Sequence, residues 1–454
     1  MIIYLILTYH LVSAQSEFTL QQAIDYALMH SNDMKSAHLD IKDAEAQVME
    51  FKSIGLPKVT AGFNYQYYFS VPVSPVQDFI RPTVYDVLEF EDVAGVDPFV
   101  GPVDVFEFRF LQNHNLSANL DASITLFDGS YLTGLKAARL FKDLTKKSID
   151  VKTEDIAANV TRAYMNILIS EENKSILNNN IETIKKSLRE AEISYENGFL
   201  EQLDIDRLRL SLENIETEYE NIDQVIATTK DLLKFQMSYP LANDINITED
   251  LETLVDLLSL NDDINIKEID YNKRAEYGQI EMGYSLNELN VERFKKGYLP
   301  TVTARANFNE SIQRDNLFRG NGLGFIPQGS VSLGVNVPIY DGNEKKGKIK
   351  QAEIVLEQMD IQKEEFKRAV QLQVKSAQSN LNQAIKTLSN RENAMDIVEN
   401  IYDKTQIKFK EGVGSSVEVT QAEQQLYSAQ ANYISALYNL LISKTDLDIA
   451  LGTL

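Results

Sequence analysis

The sequence predicts an α+β fold in which amphipathic β-strands are followed by very long antiparallel α-helices, with this arrangement present twice. Apolar and polar side chains alternate strictly in residues 116–126, and the same alternation returns in residues 331–339. Because a strand turns successive side chains to opposite faces, each stretch has one apolar and one polar face. Both stretches lead to an Asp-Gly pair, at Asp128 and at Asp341, and helix-forming sequence starts within a few residues.

Composition and charge exclude several classes of protein. The chain of 454 residues carries a formal net charge of −23, which argues against a general nucleic-acid binder because phosphate affinity depends on Lys and Arg. It has no cysteine, which excludes disulfides, thiolate metal sites, thiol catalysis and a lipid-modified amino-terminal cysteine. Apart from the amino terminus, no run approaches the roughly 18 apolar residues of a membrane-spanning helix.

Residues 1–14 resemble a signal peptide. The segment Met1 to Val12 is mostly apolar, small residues lie at Ser13 and Ala14, and the sequence then turns polar. This pattern predicts export with cleavage after Ala14. No Lys or Arg precedes the apolar run, and the alternative is a buried amino-terminal strand or helix.

The first predicted repeat covers residues 15–237. A helical pattern runs from Thr19 to about Ile54 and is ended by Pro57, because proline cannot continue a helix interior. The remaining predicted elements are a strand at 58–70, a proline-rich loop at 71–115, a strand at 116–127, a helix at 131–196 that breaks at Gly198, and a helix to about Met237 with coiled-coil spacing.

A connecting segment is predicted at 238–265, and the second repeat at 266–454 follows the same order. Its predicted elements are a helix to Tyr298, a strand at 301–310, a glycine-rich loop at 312–329, a strand at 330–340, a helix to about Lys410 that breaks at Gly412, and a last helix ending near Gly452. The Asp-Gly pairs of the two halves correspond, as do Gly198 and Gly412. This correspondence predicts an internal duplication.

Four strands of about ten residues have the length of outer-membrane strands, but four strands cannot close a barrel. If they span a membrane the chain must oligomerise, and three chains would supply twelve strands. A continuous helix from Gly129 to Gly198 would be roughly 100 Å long, so the helices must pack laterally on one another. The alternative is a soluble sandwich or half-buried sheet, in which the same alternation occurs.

Aromatic residues gather at opposite ends of the predicted strands. Tyr65, Tyr67, Tyr68 and Phe69 lie at one end, and Phe127 and Tyr340 lie at the other. Such clusters are typical of the aromatic girdles at membrane interfaces. The alternative is that they reflect ordinary β-propensity.

The duplicated order of helix, Leu-Pro, two strands, Asp-Gly, helix, glycine turn and helix resembles the TolC-like outer-membrane efflux proteins, the outer membrane factors. The resemblance covers essentially the whole mature chain. It implies a homotrimer in which a twelve-stranded β-barrel in the outer membrane of a Gram-negative bacterium continues into a long periplasmic α-helical barrel. It also implies a passive duct for efflux or type I secretion of small molecules or proteins, with a periplasmic adaptor (membrane fusion protein) and an inner-membrane pump as partners.

The resemblance places a periplasmic constriction at the two glycine turns. By position Glu418 matches one acidic ring and Asp204 a facing acidic partner, whereas Gln421 stands where well-known members are acidic. The family's usual arginine near the second turn is missing, and Gly414 and Ser415 take its place. A carboxylate ring would prefer cations. The alternative is that the acids only complement the helix dipoles.

The tips of these turns are the expected adaptor contacts. Their residues are Tyr195 and Gly198 in the first turn and Phe409 and Gly412 in the second. Acidic or polar turns from three chains would converge at the end of the helical tube farthest from the membrane.

Two charged residues on polar strand faces, Asp121 and Arg305, are candidates to line the pore lumen, although each could equally be a water-exposed charge without function. The loop 71–115 would face outside the cell, while the apolar strand faces would contact outer-membrane lipid.

No catalytic, cofactor-binding or metal-binding residues are predicted. The histidines lack metal-ligand spacing, and the glycine-rich segment 320–324 leads toward a strand, whereas a phosphate-binding loop lies between a strand and a helix. A non-enzymatic protein is therefore expected. Two other proteins with long helices stay open as alternatives, namely a periplasmic coiled-coil adaptor and a structural protein of an envelope-spanning assembly.

Overall fold

The computed structural model describes residues 17–95, 97, 101–109, 111–251, 268–316 and 323–453. The predicted signal peptide (1–14), half of the predicted connecting segment (252–265) and part of the predicted glycine-rich loop (317–322) lie outside the described residues. In the described ranges the helices are α1 (Leu20–His30), α2 (Asn32–Ser53), α3 (Ile80–Phe90), α4 (Gly129–Glu196), α5 (Gln202–Met237), α6 (Ala275–Lys296), α7 (Glu344–Lys410) and α8 (Ser416–Leu451). The strands are β1 (Glu17–Phe18), β2 (Lys58–Tyr67), β3 (Ser74–Gln77), β4 (Val105–Phe108), β5 (His114–Phe127), β6 (Asn246–Ile247), β7 (Thr301–Arg314) and β8 (Leu323–Asn336).

The chain divides into two compact units. One unit contains the chain up to Gln47, Ala138–Glu288 and Ala352–Leu454, and it is formed mainly by helices. The other contains Val48–Ala137 and Leu289–Gln351, and its centre is a β-sheet. None of the helices in the described ranges combines the length and the apolar character that a membrane-crossing helix needs.

The sheet of the second unit has four antiparallel strands in the order β2-β5-β7-β8. Its register runs from Lys58 opposite Ser123 to Tyr67 opposite His114 in the first pair. Strands β7 and β8 form the hairpin of the second half, and β7 pairs with β5 of the first half. Strands β2 and β8 are therefore the outer strands, separated by two others.

The register sorts the side chains of this sheet into two faces, because directly opposite residues of antiparallel strands point to the same side. Two adjacent rows of one face are Val59, Ala122, Ala306 and Val331, followed by Ala61, Leu120, Phe308 and Gly329. The row between them, on the other face, is Thr60, Asp121, Asn307 and Ser330. The apolar face is exposed in the single chain, with Val331 at 86%.

Strand β8 corrects the predicted bounds of the last strand. It occupies Leu323–Asn336 and not 330–340, and its partner β7 extends to Arg314 instead of ending at 310. The strand stops before Val337 because Pro338 has no N–H to donate to a ladder. The predicted loop 312–329 is therefore largely strand in its described part.

The segment 71–115, predicted as a loop, contains ordered elements. Strands β3 and β4 pair antiparallel, and α3 lies between them in the chain. The carboxylate of Asp78 caps this helix by accepting hydrogen bonds from the N–H groups of Ile80 and Arg81, at 3.1 and 3.2 Å. Pro82 lies in the first turn, where a missing N–H costs nothing, so it does not prevent the helix.

In the helical unit, α1 and α2 replace the single predicted helix. The backbone of Ser31 is extended (φ −59°, ψ 145°) and ends α1, and its hydroxyl accepts a hydrogen bond from the N–H of Met34 at 3.2 Å. One serine therefore ends one helix and caps the next.

The largest buried cluster of the helical unit surrounds Tyr164 and Phe18. The Tyr164 hydroxyl donates to the carbonyl oxygen of Phe18 at 3.0 Å, and α1, α5 and α8 contribute apolar side chains to the cluster. At the end of α8, Arg274 donates to the carbonyl oxygens of Ile449 and Ala450 at 2.9 and 3.0 Å. These contacts satisfy carbonyl groups that a helix end leaves without partners.

The Asp of each Asp-Gly pair caps the beginning of a long helix. Asp128 accepts a hydrogen bond from the N–H of Tyr131 at 3.0 Å, and Asp341 accepts one from the N–H of Lys345 at 3.2 Å. These helices, α4 and α7, have 68 and 67 residues, and each is followed by a helix of 36 residues.

Candidate functional site

The two glycine turns have the same backbone geometry. Gly198 and Gly412 have φ of 75° and 73°, in the left-handed region that favours glycine. In each turn the glycine N–H bonds three residues back, and the next N–H bonds five residues back, at 2.8 to 3.0 Å. A Cβ added at either glycine would meet no atom within 4 Å. Backbone conformation, and not lack of space, therefore requires glycine here.

Both helices that follow the turns have capped beginnings. At α5 the side chain of Glu201 accepts from a backbone N–H, and Asp204 accepts from the N–H of Glu201 at 3.2 Å. At α8 the hydroxyl of Ser415 accepts from the N–H of Glu418 at 3.3 Å. The acidic residues of the predicted constriction thus lie in the first turns of helices, where a negative charge complements the dipole.

Asp204 links the two turns through Ser416. The Ser416 hydroxyl donates to the Asp204 carboxylate, and Arg207 donates to the same hydroxyl oxygen at 3.0 Å. Ser416 is only 1% exposed, whereas Asp204 and Arg207 are half-buried, so this contact is partly shielded from water. We call Asp204, Arg207 and Ser416 the turn link.

The other two predicted constriction residues, Glu418 and Gln421, are not part of the turn link. Glu418 and Gln421 are exposed and lie one helical turn apart on α8. The structure thus places Asp204 against the second turn, through Ser416, and leaves Glu418 and Gln421 on an open surface of the single chain.

The predicted tip residues differ in burial. Tyr195 is exposed, whereas Phe409 packs against a cluster that contains Leu208, Tyr402 and Val419. Beside it lies a cavity of about 260 Å³, lined by residues of both turns and of the helices that flank them. Its apolar lining includes Phe199, which is 83% exposed.

Sequence reasoning missed Glu423, which is 1% exposed on α8. The hydroxyl of Ser211 on α5 donates to one of its carboxyl oxygens at 2.5 Å, and Tyr427 donates to the other at 2.8 Å. Burial raises the pKa of the Glu423 carboxyl above its usual value, and the two hydrogen bonds oppose this. The available signal was an acid within the apolar stripe formed by Val419 and Leu426.

Glu423 lies among residues that connect two helical hairpins, the first formed by α4 and α5 and the second by α7 and α8. Burial, and secondly the neighbouring Glu423, raise the pKa of Tyr402 on α7. Gln406 on the same helix donates to the hydroxyl of Ser187 on α4 at 2.7 Å and to the Tyr402 hydroxyl at 2.7 Å. Hydrogen bonds therefore join α4 to α7 and α5 to α8, so each helix of one hairpin is bonded to a helix of the other.

Exposed ion pairs surround these buried contacts. Arg209 pairs with Glu192 at 2.8 Å within the first hairpin, and Lys410 pairs with Glu190 at 2.8 Å between the hairpins. Since exposed pairs contribute about 0–1 kcal/mol each, the buried contacts dominate the joint between the hairpins.

The two predicted lumen residues lie on the polar face of the sheet. Asp121 accepts hydrogen bonds from the amide groups of Asn307 and Asn119, each at 2.6 Å. Arg305 lies opposite Ser123 and is exposed. Within the described residues no group of three or more His, Asp or Glu side chains is placed to hold a metal ion.

Comparison with known proteins places this geometry in context. The model of a family described as outer membrane efflux protein matches residues 23–233 and 288–453. The chain is 22% identical to the outer membrane protein TolC of Salmonella enteritidis over 371 residues, which are 76% of this chain and 70% of that protein. It is 27% identical to TolC of Escherichia coli K12 over 183 residues, 39% of this chain and 37% of that protein.

Solved structures share the fold at low sequence identity. CusC, described as a transmembrane channel, has a TM-score of 0.72 at 15% identity, covering 96% of this chain and 92% of its own. The outer membrane protein VceC of Vibrio cholerae has a TM-score of 0.66 at 16% identity, and the match covers 95% of this chain and 96% of VceC. The open state of the MtrE outer membrane channel of Neisseria gonorrhoeae has a TM-score of 0.69 at 17% identity, and the match covers 95% of this chain and 88% of MtrE.

Proposed function

The chain belongs to the outer membrane efflux protein family, and from this premise we propose that three copies form a passive exit duct in the outer membrane. The observation that carries the proposal is the four-stranded antiparallel sheet with one exposed apolar face and one polar face. Lipid cannot satisfy the open edges of β2 and β8, so copies must join edge to edge until the sheet closes. Three copies give twelve strands.

In this arrangement the apolar rows contact lipid and the polar rows line the lumen. Asp121 and Arg305 then face the water-filled interior, with Asp121 held in place by its two asparagine partners. Membership of this family favours the duct over the periplasmic adaptor and the coiled-coil structural protein. The near-equal lengths of α4 and α7, and of α5 and α8, support the predicted duplication.

The turn link supports a gate at the helical turns. Asp204, Arg207 and Ser416 hold the second hairpin against the first, and the buried Glu423 contacts hold the same two hairpins seven residues further along α8. Three copies of the exposed Glu418 would form a carboxylate ring that prefers cations. Opening requires the link to break, which is a task for a periplasmic adaptor contacting the tips around Gly198 and Gly412.

The duct itself supplies no energy, so an inner-membrane pump is the expected source. Efflux of small molecules and type I secretion of proteins both use such a duct. The pump, and not the duct, then selects the exported substrate.

Single-channel recording in planar bilayers tests this function. The purified protein is expected to form trimers with a small, cation-preferring conductance, and Glu418→Ala is expected to reduce the cation preference. The matched control is Glu411→Ala, which removes an exposed acid on the other side of the glycine turn. A water-soluble monomer without channel activity would overturn the duct. Unchanged selectivity in Glu418→Ala would overturn the ring.

A further inference from the structure

One row of the apolar face differs from all the others, because it carries cationic and aromatic side chains together. Tyr67 lies opposite His114, and His114 lies opposite Arg314. The next row on the same face starts with Tyr65, Leu116 and Ile312, and there the apolar character resumes. This cationic row is at the end of the sheet away from Gly129, where α4 begins.

Two tyrosine side chains contact His114 of this row. The hydroxyl of Tyr65 and Nδ1 of His114 are 2.8 Å apart, and the rings of Tyr67 and His114 have centroids 4.8 Å apart. When the phenol donates to Nδ1, the imidazole keeps its proton at Nε2, so the ring can donate to a second group. Arg314 adds a guanidinium on the same face, and guanidinium groups bind phosphate oxygens with paired hydrogen bonds.

The depth of the row follows from the strand length. Arg314 is twelve residues along β7 from Val302, which lies opposite Phe127 in the row at the other end of the apolar face. At about 3.3 Å per residue this distance is roughly 40 Å, or roughly 30 Å along the membrane normal for a strand tilted by about 40°. An outer-membrane apolar band is about 25 Å tall. With Phe127 at the inner interface, the cationic row therefore lies just outside the hydrocarbon, at the level of lipid headgroups.

We propose that His114 and Arg314, flanked by Tyr65 and Tyr67, bind the phosphate group of an outer-leaflet lipid. The acyl chains of that lipid then lie against the apolar rows below. Glu310 is on the same face but four residues deeper, about 13 Å along the strand, so it does not occupy the guanidinium. The proposal rests on the proposed outer-membrane position of the sheet.

Binding of lipid A to the purified full-length trimer tests the site. The probes are lipid A carrying both phosphates, the same lipid without phosphates, and inorganic phosphate. We expect the phosphorylated lipid to bind at least ten-fold more tightly than either of the others, because charge-assisted hydrogen bonds and acyl contacts both contribute. Equal binding of the two lipids would overturn the proposal. If inorganic phosphate bound as tightly as the phosphorylated lipid, the site would bind free phosphate and not the phosphate group of a lipid.

Variants locate the binding. Arg314→Gln and His114→Gln together are expected to abolish the preference for the phosphorylated lipid, and Arg305→Gln, on the opposite face of the same strand, is expected to keep it. A double variant that stays trimeric and conducting but binds like the natural protein would refute the site and leave the duct untouched. If the double variant does not assemble, Arg314→Lys alone decides, since a lysine keeps the charge but loses the paired hydrogen bonds. It should weaken the preference, and an unchanged preference would refute the role of Arg314.

Discussion

Replacing Glu423 by alanine is expected to destabilise the joint between the two hairpins. The change leaves the partly buried hydroxyls of Ser211 and Tyr427 without their acceptor, and an unsatisfied buried group costs about 1–3 kcal/mol. The vacated volume lies between packed clusters around Leu426 and Ile215, so a cavity adds to the cost. The combined loss is about 2–5 kcal/mol in the free energy of unfolding of this region.

The matched variant Glu423→Gln separates charge from packing. The glutamine side chain has nearly the same shape as glutamate. Its carbonyl oxygen can accept a hydrogen bond from one of the two hydroxyls, and the second hydroxyl can rotate to accept one from the NH₂ group. Since burial raises the folded-state pKa of Glu423, the folded protein holds this proton more tightly than the unfolded chain. The stability that this bound proton gives the folded protein is therefore complete below the usual glutamate pKa of about 4.5 and is lost as pH rises through the folded pKa.

Denaturation of the detergent-solubilised protein between pH 4 and pH 8 measures both effects. The natural protein should lose stability with rising pH relative to Glu423→Gln, and the two should converge at the acidic end. Glu423→Ala should be the least stable at the acidic end, where the natural carboxyl is protonated. Parallel pH profiles for the natural protein and Glu423→Gln, or a cost below about 1 kcal/mol for alanine, would refute the burial and bonding of this carboxyl.

Three further predictions concern the glycine turn, the turn link and the two faces of the sheet. Gly412→Ala should lower the free energy of unfolding by about 1–2 kcal/mol because the φ of Gly412 is positive. Its control, Gly347→Ala in open space within α7, should raise it by about 0.5–1 kcal/mol, and equal shifts in melting temperature would contradict this. Ser416→Ala removes the turn link and should raise the open fraction in single-channel records, and an unchanged fraction would contradict the link. Val331→Arg, on the apolar face, should cost about 2–4 kcal/mol and impair membrane assembly, while Ser332→Arg, on the polar face, should assemble normally. If instead Ser332→Arg failed to assemble and Val331→Arg assembled, the lipid-facing and lumen-facing sides of the sheet would be assigned the wrong way round.

Features with a local cause could be predicted from the sequence. The strict alternation in 116–126 identified β5, and the positive φ of Gly198 and Gly412 explains why glycine marks both turns. Local signals also misled. Alternation continues through Val337 and Ile339, beyond the end of β8 at Asn336, so the predicted strand was shifted toward the carboxyl end. The prolines of 71–115 concealed α3, because one of them occupies a first helical turn.

The contacts between hairpins could not be predicted, because they depend on tertiary structure. Ser416 and Asp204 are 212 residues apart in sequence, and so are Ser211 and Glu423. Only the packed hairpins determine that Ser416 is buried while Glu418, two residues later, is exposed. The acidic residue in an apolar stripe was visible, but its partner hydroxyls were not.

Closure of the sheet between copies is tested most directly by cysteine cross-linking, since the natural chain has no cysteine. Within one chain β2 and β8 are three strand spacings apart, roughly 14 Å, whereas a disulfide requires Cα atoms within about 7 Å. Because closing a barrel staggers the strands along one another, Ala61→Cys in β2 is combined in turn with Pro327→Cys, Gly329→Cys, Val331→Cys, Leu333→Cys and Val335→Cys in β8. At least one pair should give a disulfide-linked trimer on oxidation in membranes. If every pair stays monomeric while the protein is folded and in the membrane, the copies do not join through these edges and the twelve-stranded duct is contradicted.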